Sequence, residues 1–327
     1  MLYIRNDNTN PYFNLAMEEY LFNLEDNESY VLLWQNEPTI VVGKHQNTAQ
    51  EINSEYVKEK RIHIVRRITG GGAVYHDLGN LNFTFIIKGM ENSEFDFKKF
   101  TMPIIKALGR LGVESELSGR NDITIDGKKF SGNAQSVKQG KLLHHGTLLF
   151  DSRMEELVKA LKVSEDKFQS KSVKSVRARV TNIKDYLHDD ITVTEFKELL
   201  LKYMFDEDME LRESELSKAD LENIDSLMKN KYMSWDWNYG ESPEFNVKQG
   251  KRFDGGKIEV LVNVKEGIIR GIKFYGDFFG SGNLEEVESA LIGNRYEERE
   301  IKGSLAEMNI DEYFRNINVD ELVSCIL

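Results

Sequence analysis

The stretch Arg66-Arg67-Ile68-Thr69-Gly70-Gly71-Gly72-Ala73-Val74-Tyr75-His76-Asp77-Leu78-Gly79-Asn80 joins two arginines to three consecutive glycines. Glycine lets a backbone approach a ligand closely and adopt φ > 0 at little steric cost. Successive N–H groups in such a turn form an anion-binding concavity. A planar guanidinium fork pairs with carboxylate or phosphate at two points. A plain tight turn between strands would carry the same glycines, but the flanking arginines and polar residues favour an anion site.

A second set of residues is specified by a hairpin. Asp122-Ile123-Thr124-Ile125 and Lys128-Lys129-Phe130-Ser131 flank Asp126-Gly127, and Asp-Gly between two strands signals a two-residue type I′ turn. Pairing across it sets Ile125 opposite Lys128, Thr124 opposite Lys129 and Ile123 opposite Phe130. Side chains alternate faces with a period of two. One face then carries Asp122, Thr124, Lys129 and Ser131, and the other carries Ile123, Ile125 and Phe130, with Lys128 at the tip. The second face is core, so Lys129 rather than Lys128 points to the polar side with Asp122.

The elements that must hold these residues are legible from periodicity. Asn14–Leu24 reads as a helix with Leu15, Met17, Tyr20, Leu21 and Leu24 on one side and Glu18 and Glu19 on the other. Tyr30–Trp34 and Thr39–Val42 read as short buried strands around a Gln35-Asn36-Glu37-Pro38 turn. Ile62–Val65 leads into the glycine turn and Asn82–Ile87 leads out of it. Phe97–Leu111 is an amphipathic helix, and Leu142–Phe150 is a strand holding His144 and His145. Helices are expected over Arg153–Leu161, Val193–Tyr203 and Lys218–Lys229. Residues 159–184 carry eight Lys/Arg against Glu165 and Asp166 and read as a basic, Ser-rich loop.

At 327 residues the chain is long for one core, so two domains are expected, 1–245 and 246–327. The boundary follows a break in periodicity at Trp235-Asp236-Trp237-Asn238-Tyr239-Gly240. Beyond it come a hairpin, Gly255–Val264 with Ile268–Tyr275, and helices at Leu284–Leu291, Ser304–Met308, Asp311–Phe314 and Val319–Ile326. The fold class is therefore α+β. A large domain of mixed or antiparallel sheets carries flanking helices, and a small α+β domain follows.

Composition excludes several classes. The net charge of −12 argues against a general nucleic-acid binder. The apolar runs are far too short to span a bilayer, and Met1-Leu2-Tyr3-Ile4-Arg5 reads as a strand rather than a signal core. The chain is expected to be cytoplasmic. The single cysteine, Cys325, supports neither a disulfide framework nor a cysteine-built zinc site. It is also a poor nucleophile candidate, because a catalytic thiol needs an electropositive, base-assisted setting. No G-x-x-x-x-G-K-[ST] occurs, Gly280-Ser281-Gly282 reads as a loop, and the six histidines show no H-E-x-x-H spacing.

What remains is a cationic, glycine-lined site without nucleophile or metal cage. That suits chemistry done by positioning and electrostatics, such as attack of a carboxylate on the α-phosphate of ATP. Charge develops on the phosphorus oxygens in the transition state, and a fixed Lys, an Arg and backbone N–H groups can neutralise it. Lys129 is too basic at its ordinary pKa to serve as a base at pH 7, so its expected work is to bridge carboxylate and phosphate.

The sequence resembles the lipoate–protein ligases of the bacterial two-domain type across essentially its whole length. The matching segments are Asn14-Leu15-Ala16-Met17-Glu18-Glu19, Arg66–Asn80, Gly119-Arg120-Asn121-Asp122, Lys129-Phe130-Ser131-Gly132-Asn133-Ala134, His144-His145-Gly146-Thr147-Leu148-Leu149 and Ser175-Val176-Arg177-Ala178-Arg179-Val180-Thr181-Asn182. The resemblance implies ATP-dependent conversion of lipoate to lipoyl-AMP. Transfer to a lysine of lipoyl domains (2-oxoacid dehydrogenase E2 subunits, glycine cleavage H protein) would follow. It implies that Arg67, Gly72, Ala73, Val74, Tyr75, Asn80, Asp122 and Lys129 contact ATP or the adenylate. It implies that Arg67, Thr69, Lys129 and His145 contact lipoate. Lys129 is the implied catalytic residue, and Asp122 either orients it or contacts Mg²⁺. The basic segment resembles the family's loop over the adenylate.

After Ala134 the chain has Gln135-Ser136 where a ligase of the family has an aromatic followed by arginine. That leaves the preference between lipoate and octanoate open. Two other readings stand beside the ligase. An ATP-independent octanoyl or lipoyl transferase commonly uses a cysteine, absent here before Cys325. A non-catalytic lipoate-binding module would not need Lys129 with a full glycine turn. The Gly-Arg-Gly-Arg signature of biotin ligases is missing.

Overall fold

The computed structural model describes residues 1–89, 95–161, 179–205, 211–239 and 245–327. Residues 162–178 of the basic segment, and with them Ser175-Val176-Arg177-Ala178, lie outside the described residues. The chain divides into two units. The first is Met1–Val41, Ala49–Arg66 and Val74–Asn238; the second is Val42–Thr48, Arg67–Ala73 and Tyr239–Leu327.

The first unit is built on an eight-stranded sheet of order β11-β1-β2-β6-β10-β9-β8-β7. Its strands are β1 (Leu2–Arg5), β2 (Tyr30–Trp34), β6 (Asn80–Ile87), β7 (Glu116–Ser118), β8 (Asp122–Ile125), β9 (Lys128–Lys138), β10 (Lys141–Leu149) and β11 (Arg212–Ser214). β1 runs parallel to β2 and β11, and the remaining pairs are antiparallel, so the sheet is mixed. β3 (Thr39–Val42), β4 (His63–Arg66) and β5 (Val74–His76) make a small sheet of order β4-β3-β5.

Alternation along β6 shows how the large sheet divides its work. Leu81, Phe83 and Phe85 face one way into the core, where they meet Phe100, Ile104, Ala107 and Leu108 of the helix Phe97–Arg110 and Phe196, Leu200 and Met204 of Val193–Met204. Each fully buried Phe or Leu contributes about 1.5–3 kcal/mol relative to exposure. Asn82 and Thr84 therefore face the other way. α1 (Pro11–Asn23) opens with Asn10 accepting from the N–H groups of Tyr12 and Phe13 and with Pro11 in the first turn.

Two expectations about this unit change. Glu18 and Glu19 were expected on the helix side opposite Leu15, Met17 and Leu21. Instead Glu18 is 2% exposed, and Glu19 accepts from Lys231 Nζ at 2.8 Å and Tyr232 OH at 2.7 Å. The hairpin register holds at Ile125–Lys128 and Thr124–Lys129, then shifts by a β-bulge so that Ile123 faces Ser131 and Asp122 faces Gly132. Phe130 is the extra residue of the bulge. The turn itself is as expected, with φ 50° at Asp126 and 72° at Gly127.

In the second unit β12 (Val247–Phe253), β13 (Gly256–Lys265) and β14 (Ile268–Gly276) form an antiparallel sheet. Ile258, Val260 and Val262 alternate into a core with Phe274, Phe278, Val287, Leu291, Ile301, Leu305 and Phe314. The helix expected at Ser304–Met308 runs Glu298–Ala306; its acidic first turn masks an Ile301/Leu305 pair buried at helical spacing. Gly280 and Gly282 are packing glycines, since a Cβ there would lie 2.0 Å from Tyr313 O and 2.4 Å from the Tyr313 ring.

Candidate active site

Lys129 stands where the bulge leaves the ladder. Its N–H donates to Arg179 O at 2.7 Å and its carbonyl accepts from Thr181 N at 3.0 Å. Its side chain crosses Gly132, whose missing Cβ would sit 3.0 Å from Nζ, and ends 2.7 Å from Asp122 Oδ1. The Lys129 and Asp122 side chains are 40% and 37% exposed, so both are open to a ligand. An exposed pair of this kind is worth at most about 1 kcal/mol to folding. Its ammonium is fixed in place without being buried.

The same sheet face carries a row of polar groups. Register pairs Asn82 with Thr147, Thr84 with His145, and His145 with Ala134. Trp34 Nε1 donates to Thr84 Oγ1 at 2.9 Å, and Thr84 Oγ1 in turn donates to Glu18 Oε1. His145 Nδ1 lies 3.1 Å from both Glu18 carboxylate oxygens. β9 contributes small residues to this face, Gly132, Ala134 and Ser136. α1 supplies the carboxylate because Glu18 follows buried Asn14 by one turn.

On the reverse face His144 is fully buried. Gln135 Nε2 donates to its Nδ1 at 2.8 Å, and its Nε2 donates to Asn133 Oδ1 at 3.2 Å. Burial holds the imidazole well below its usual pKa, so it is the neutral tautomer with the proton on Nε2. Asn133 passes the order on, donating to Asn121 O at 3.0 Å while its own carbonyl accepts from Asn121 Nδ2 at 2.6 Å. Those bonds fix the start of β8, where Asp122 stands. Gly146 is required here, because a Cβ would lie 2.2 Å from Asn133 Oδ1. Gln135 points into this buried network and away from the face of His145.

The glycine turn belongs to the second unit. Arg67 is 6% exposed and spans the turn from inside, donating from Nε to Thr69 Oγ1 at 2.9 Å and from NH2 to Gly70 O and Gly72 O at 2.8 Å each. Gly71 has φ 92°, and a Cβ on Gly43 would lie 1.9 Å from Gly71 O. Nothing lies within 4 Å of a Cβ built on Gly72, so the rim of the turn is open. Arg66, in the first unit, gives its Nε to Trp237 O at 2.8 Å and its NH2 to Asn238 O at 3.1 Å. The two arginines thus brace main-chain carbonyls, a use that sequence alone does not distinguish from ligand binding.

Lys129, Asp122 and His145 thus share one sheet face of the first unit. Val74 and Tyr75 lie on β5, where Tyr75 is 4% exposed and burial raises its phenol pKa. Asn80 is fully buried and donates to Asn82 Oδ1 at 2.9 Å. Arg67, Thr69, Gly72 and Ala73 fall in the second unit. Gly132, Thr84 and Glu18 were not singled out from sequence. Gly132 and Glu18 lie in the matching segments Lys129–Ala134 and Asn14–Glu19 without having been given a role, and nothing local marked Thr84.

Two family descriptions match this chain: the lipoyl protein ligase A/B catalytic domain over residues 10–205 and the bacterial lipoate protein ligase C-terminus over 242–326. A lipoate–protein ligase of Bacillus subtilis (strain 168) is 48% identical over 330 residues, covering all of both chains. A P. falciparum protein, LipL1, solved in complex with lipoate, is 28% identical with TM-score 0.81 over 100% of this chain and 99% of that one. A lipoate–protein ligase A bound with ATP is 26% identical with TM-score 0.64, over 73% of this chain and 98% of that one. With full-length identity of this order, and with the family's motif residues Lys129, Asp122 and His145 on one sheet face, the chain belongs to the lipoate–protein ligases and is an enzyme of the ligase class.

Proposed function

We propose that this ligase joins lipoate to ATP at Lys129 and passes the lipoyl group to a lysine of acceptor lipoyl domains. Residues 1–245 act as its catalytic domain and 246–327 as its accessory domain, supported by the separate matches over 10–205 and 242–326. In the first step a lipoate carboxylate oxygen attacks the α-phosphorus, the bond to the bridging oxygen breaks, and pyrophosphate leaves. In the second, an acceptor lysine amine attacks the acyl carbon, AMP leaves, and the amine gives up its proton.

The observation that carries this reading is Lys129, held at its backbone by Arg179 and Thr181 and at its ammonium by Asp122. A preorganised cation costs no reorganisation when charge develops on the phosphorus oxygens. N–H groups of Gly72 and Ala73 and the β5 residues Val74 and Tyr75 contact the nucleotide, with Arg67 and Thr69 setting the shape of the turn. Asn80 acts from within, by fixing Asn82. The lipoyl chain runs over the small residues of β9 towards His145 and Glu18.

Mg²⁺ would accompany ATP as its counter-ion. Among the described residues no three His, Cys, Asp or Glu side chains come together as a cage. Asp122, beside Lys129 on the same face, is the carboxylate that would contact the ion, which would supply neutralisation of the triphosphate charge. Acceptors are E2 subunits of 2-oxoacid dehydrogenases and glycine cleavage H protein, and the site of action is the cytoplasm. Among the described residues no helix is long and apolar enough to cross a membrane. A thiol-dependent transfer has little support, because Cys325 is fully buried and its burial raises the thiol pKa.

The test is acyl transfer to a purified lipoyl domain, read by intact mass, with lipoate and Mg²⁺ and with or without ATP. Modification that requires ATP and releases pyrophosphate is expected. Transfer from a lipoylated carrier protein, with none from free lipoate and ATP, would overturn the reading in favour of an acyltransferase.

A further inference from the structure

The Lys129 main chain is held by a segment about 50 residues downstream, and that segment is itself tied to the 150–152 main chain at Asn182 and, two residues on, by Lys184 N donating to Phe150 O at 3.1 Å. Arg179 O and Thr181 N close on Lys129 N and O. Next in sequence, Asn182 turns its amide onto the Ser152 main chain. Its Oδ1 accepts from Ser152 N at 3.0 Å and its Nδ2 donates to Ser152 O at 3.1 Å. Asn182 precedes the short 3₁₀ turn Ile183–Tyr186 and would ordinarily cap it, yet it makes no capping bond. Both of its hydrogen bonds go to Ser152.

Ser152 is fixed in turn. Phe150 N and Asp151 N donate to Gly79 O at 3.1 and 2.9 Å, and a Cβ on Gly79 would lie 2.0 Å from Asp151 O. Asp77 accepts from Gly79 N at 2.9 Å and from Arg153 N at 2.8 Å. Of the links from the Asp77-Leu78-Gly79 turn to this segment, Asn182 is the one next to Thr181, while Lys184 bonds Phe150 O and Asp151 further along the chain.

We propose that Asn182 is a positioning residue for Lys129, acting through the main chain of Arg179, Val180 and Thr181. This rests on the reading of Lys129 as the group at the carboxylate–phosphate junction. Without the Asn182 amide the strap keeps its two bonds to Lys129 but loses the anchor nearest them, leaving Lys184 as the next tie, and the ammonium loses its fixed height over Gly132. A misplacement approaching 1 Å costs on the order of 10²-fold in rate.

The experiment compares wild type, Asn182→Ala, Lys129→Ala and the double variant in single-turnover, lipoate-dependent pyrophosphate release. Asn182→Ala is expected to lower kcat on the order of 10- to 100-fold, with KM for lipoate and ATP changed less than about threefold. Asn182→Asp keeps the acceptor for Ser152 N–H and is expected to recover part of that loss. In the Lys129→Ala background the Asn182 substitution is expected to cost less than about twofold, since residues acting as one unit are not additive. Additive losses, a change confined to KM, or a wild-type rate in Asn182→Ala would overturn the proposal. A wild-type rate in Lys129→Ala would overturn the reading beneath it, whatever Asn182 does. If Asn182→Ala folds too poorly to assay, Asn182→Asp carries the same cycle.

Discussion

Replacing Gly132 with alanine puts a methyl group 3.0 Å from Lys129 Nζ and 3.1 Å from its Cε. Comfortable contacts between such atoms are about 3.5–4.0 Å, so the ammonium must retreat by roughly 0.5 Å. Nothing else resists the methyl group, and Gly132 is not among the residues with positive φ. Alanine at a conformationally permissive site narrows the unfolded ensemble and stabilises by about 0.4–1 kcal/mol. Stability therefore holds or rises while the reacting geometry is disturbed. If about 1 Å of misplacement costs on the order of 10²-fold, half that displacement costs about tenfold, or ~1.4 kcal/mol of transition-state stabilisation. The assay is single-turnover pyrophosphate release at saturating lipoate and ATP, with a thermal melt of the same sample. A wild-type rate with an undisturbed melt would refute the claim that Lys129 must be held where Gly132 lets it lie.

Three further outcomes follow from the same geometry. Glu18→Ala strands the Thr84 hydroxyl and His145 Nδ1 in a buried setting, which should lower the denaturant-derived stability by about 2–3 kcal/mol. Arg67→Lys keeps the charge but cannot span Thr69, Gly70 and Gly72 from one nitrogen. Losing one such buried charged bond, about 1.5–3 kcal/mol, should lower Tm and raise the KM for ATP at least about tenfold, read by steady-state kinetics. His144 is held neutral by burial in the folded state and titrates near its ordinary value, about 6.5, when unfolded. The unfolded chain then binds the extra proton, so this contribution to stability is complete above about pH 6.5. It is lost at up to ~1.4 kcal/mol per unit as pH falls towards the depressed folded value. Chemical unfolding across pH 4.5–7.5 should show that slope, and His144→Phe should flatten it.

The hairpin that carries Lys129 was legible because Asp126-Gly127 meets a local requirement, two successive residues at positive φ. The face of Lys129 followed from alternation. The bulge at Phe130 did not, because its cause is distant: Lys129 pairs its main chain with Arg179 and Thr181, and no pattern within the hairpin records that. Glu18 was set on the wrong side of its helix. Helical spacing puts it three residues from both Leu15 and Leu21, on their buried side, and the partners that accommodate a carboxylate there, Thr84 and His145, are far away in the chain. The arginine pair was read as a fork for anions, and in the structure Arg66 and Arg67 also donate to carbonyls. Charge and planarity suit either partner, so residue type could not choose. β12 escaped notice because it is an edge strand with little buried surface.

The most direct measurement is lipoate-dependent pyrophosphate release by Lys129→Ala set beside Lys128→Ala. Lys128 faces Ile125 at the hairpin tip, next to a residue that differs only in the side it presents. Lys129→Ala is expected to fold normally and lose on the order of 10²–10³ in rate, with Lys128→Ala close to wild type. Near-normal release by Lys129→Ala, or a larger loss at position 128, would contradict the role given to Lys129.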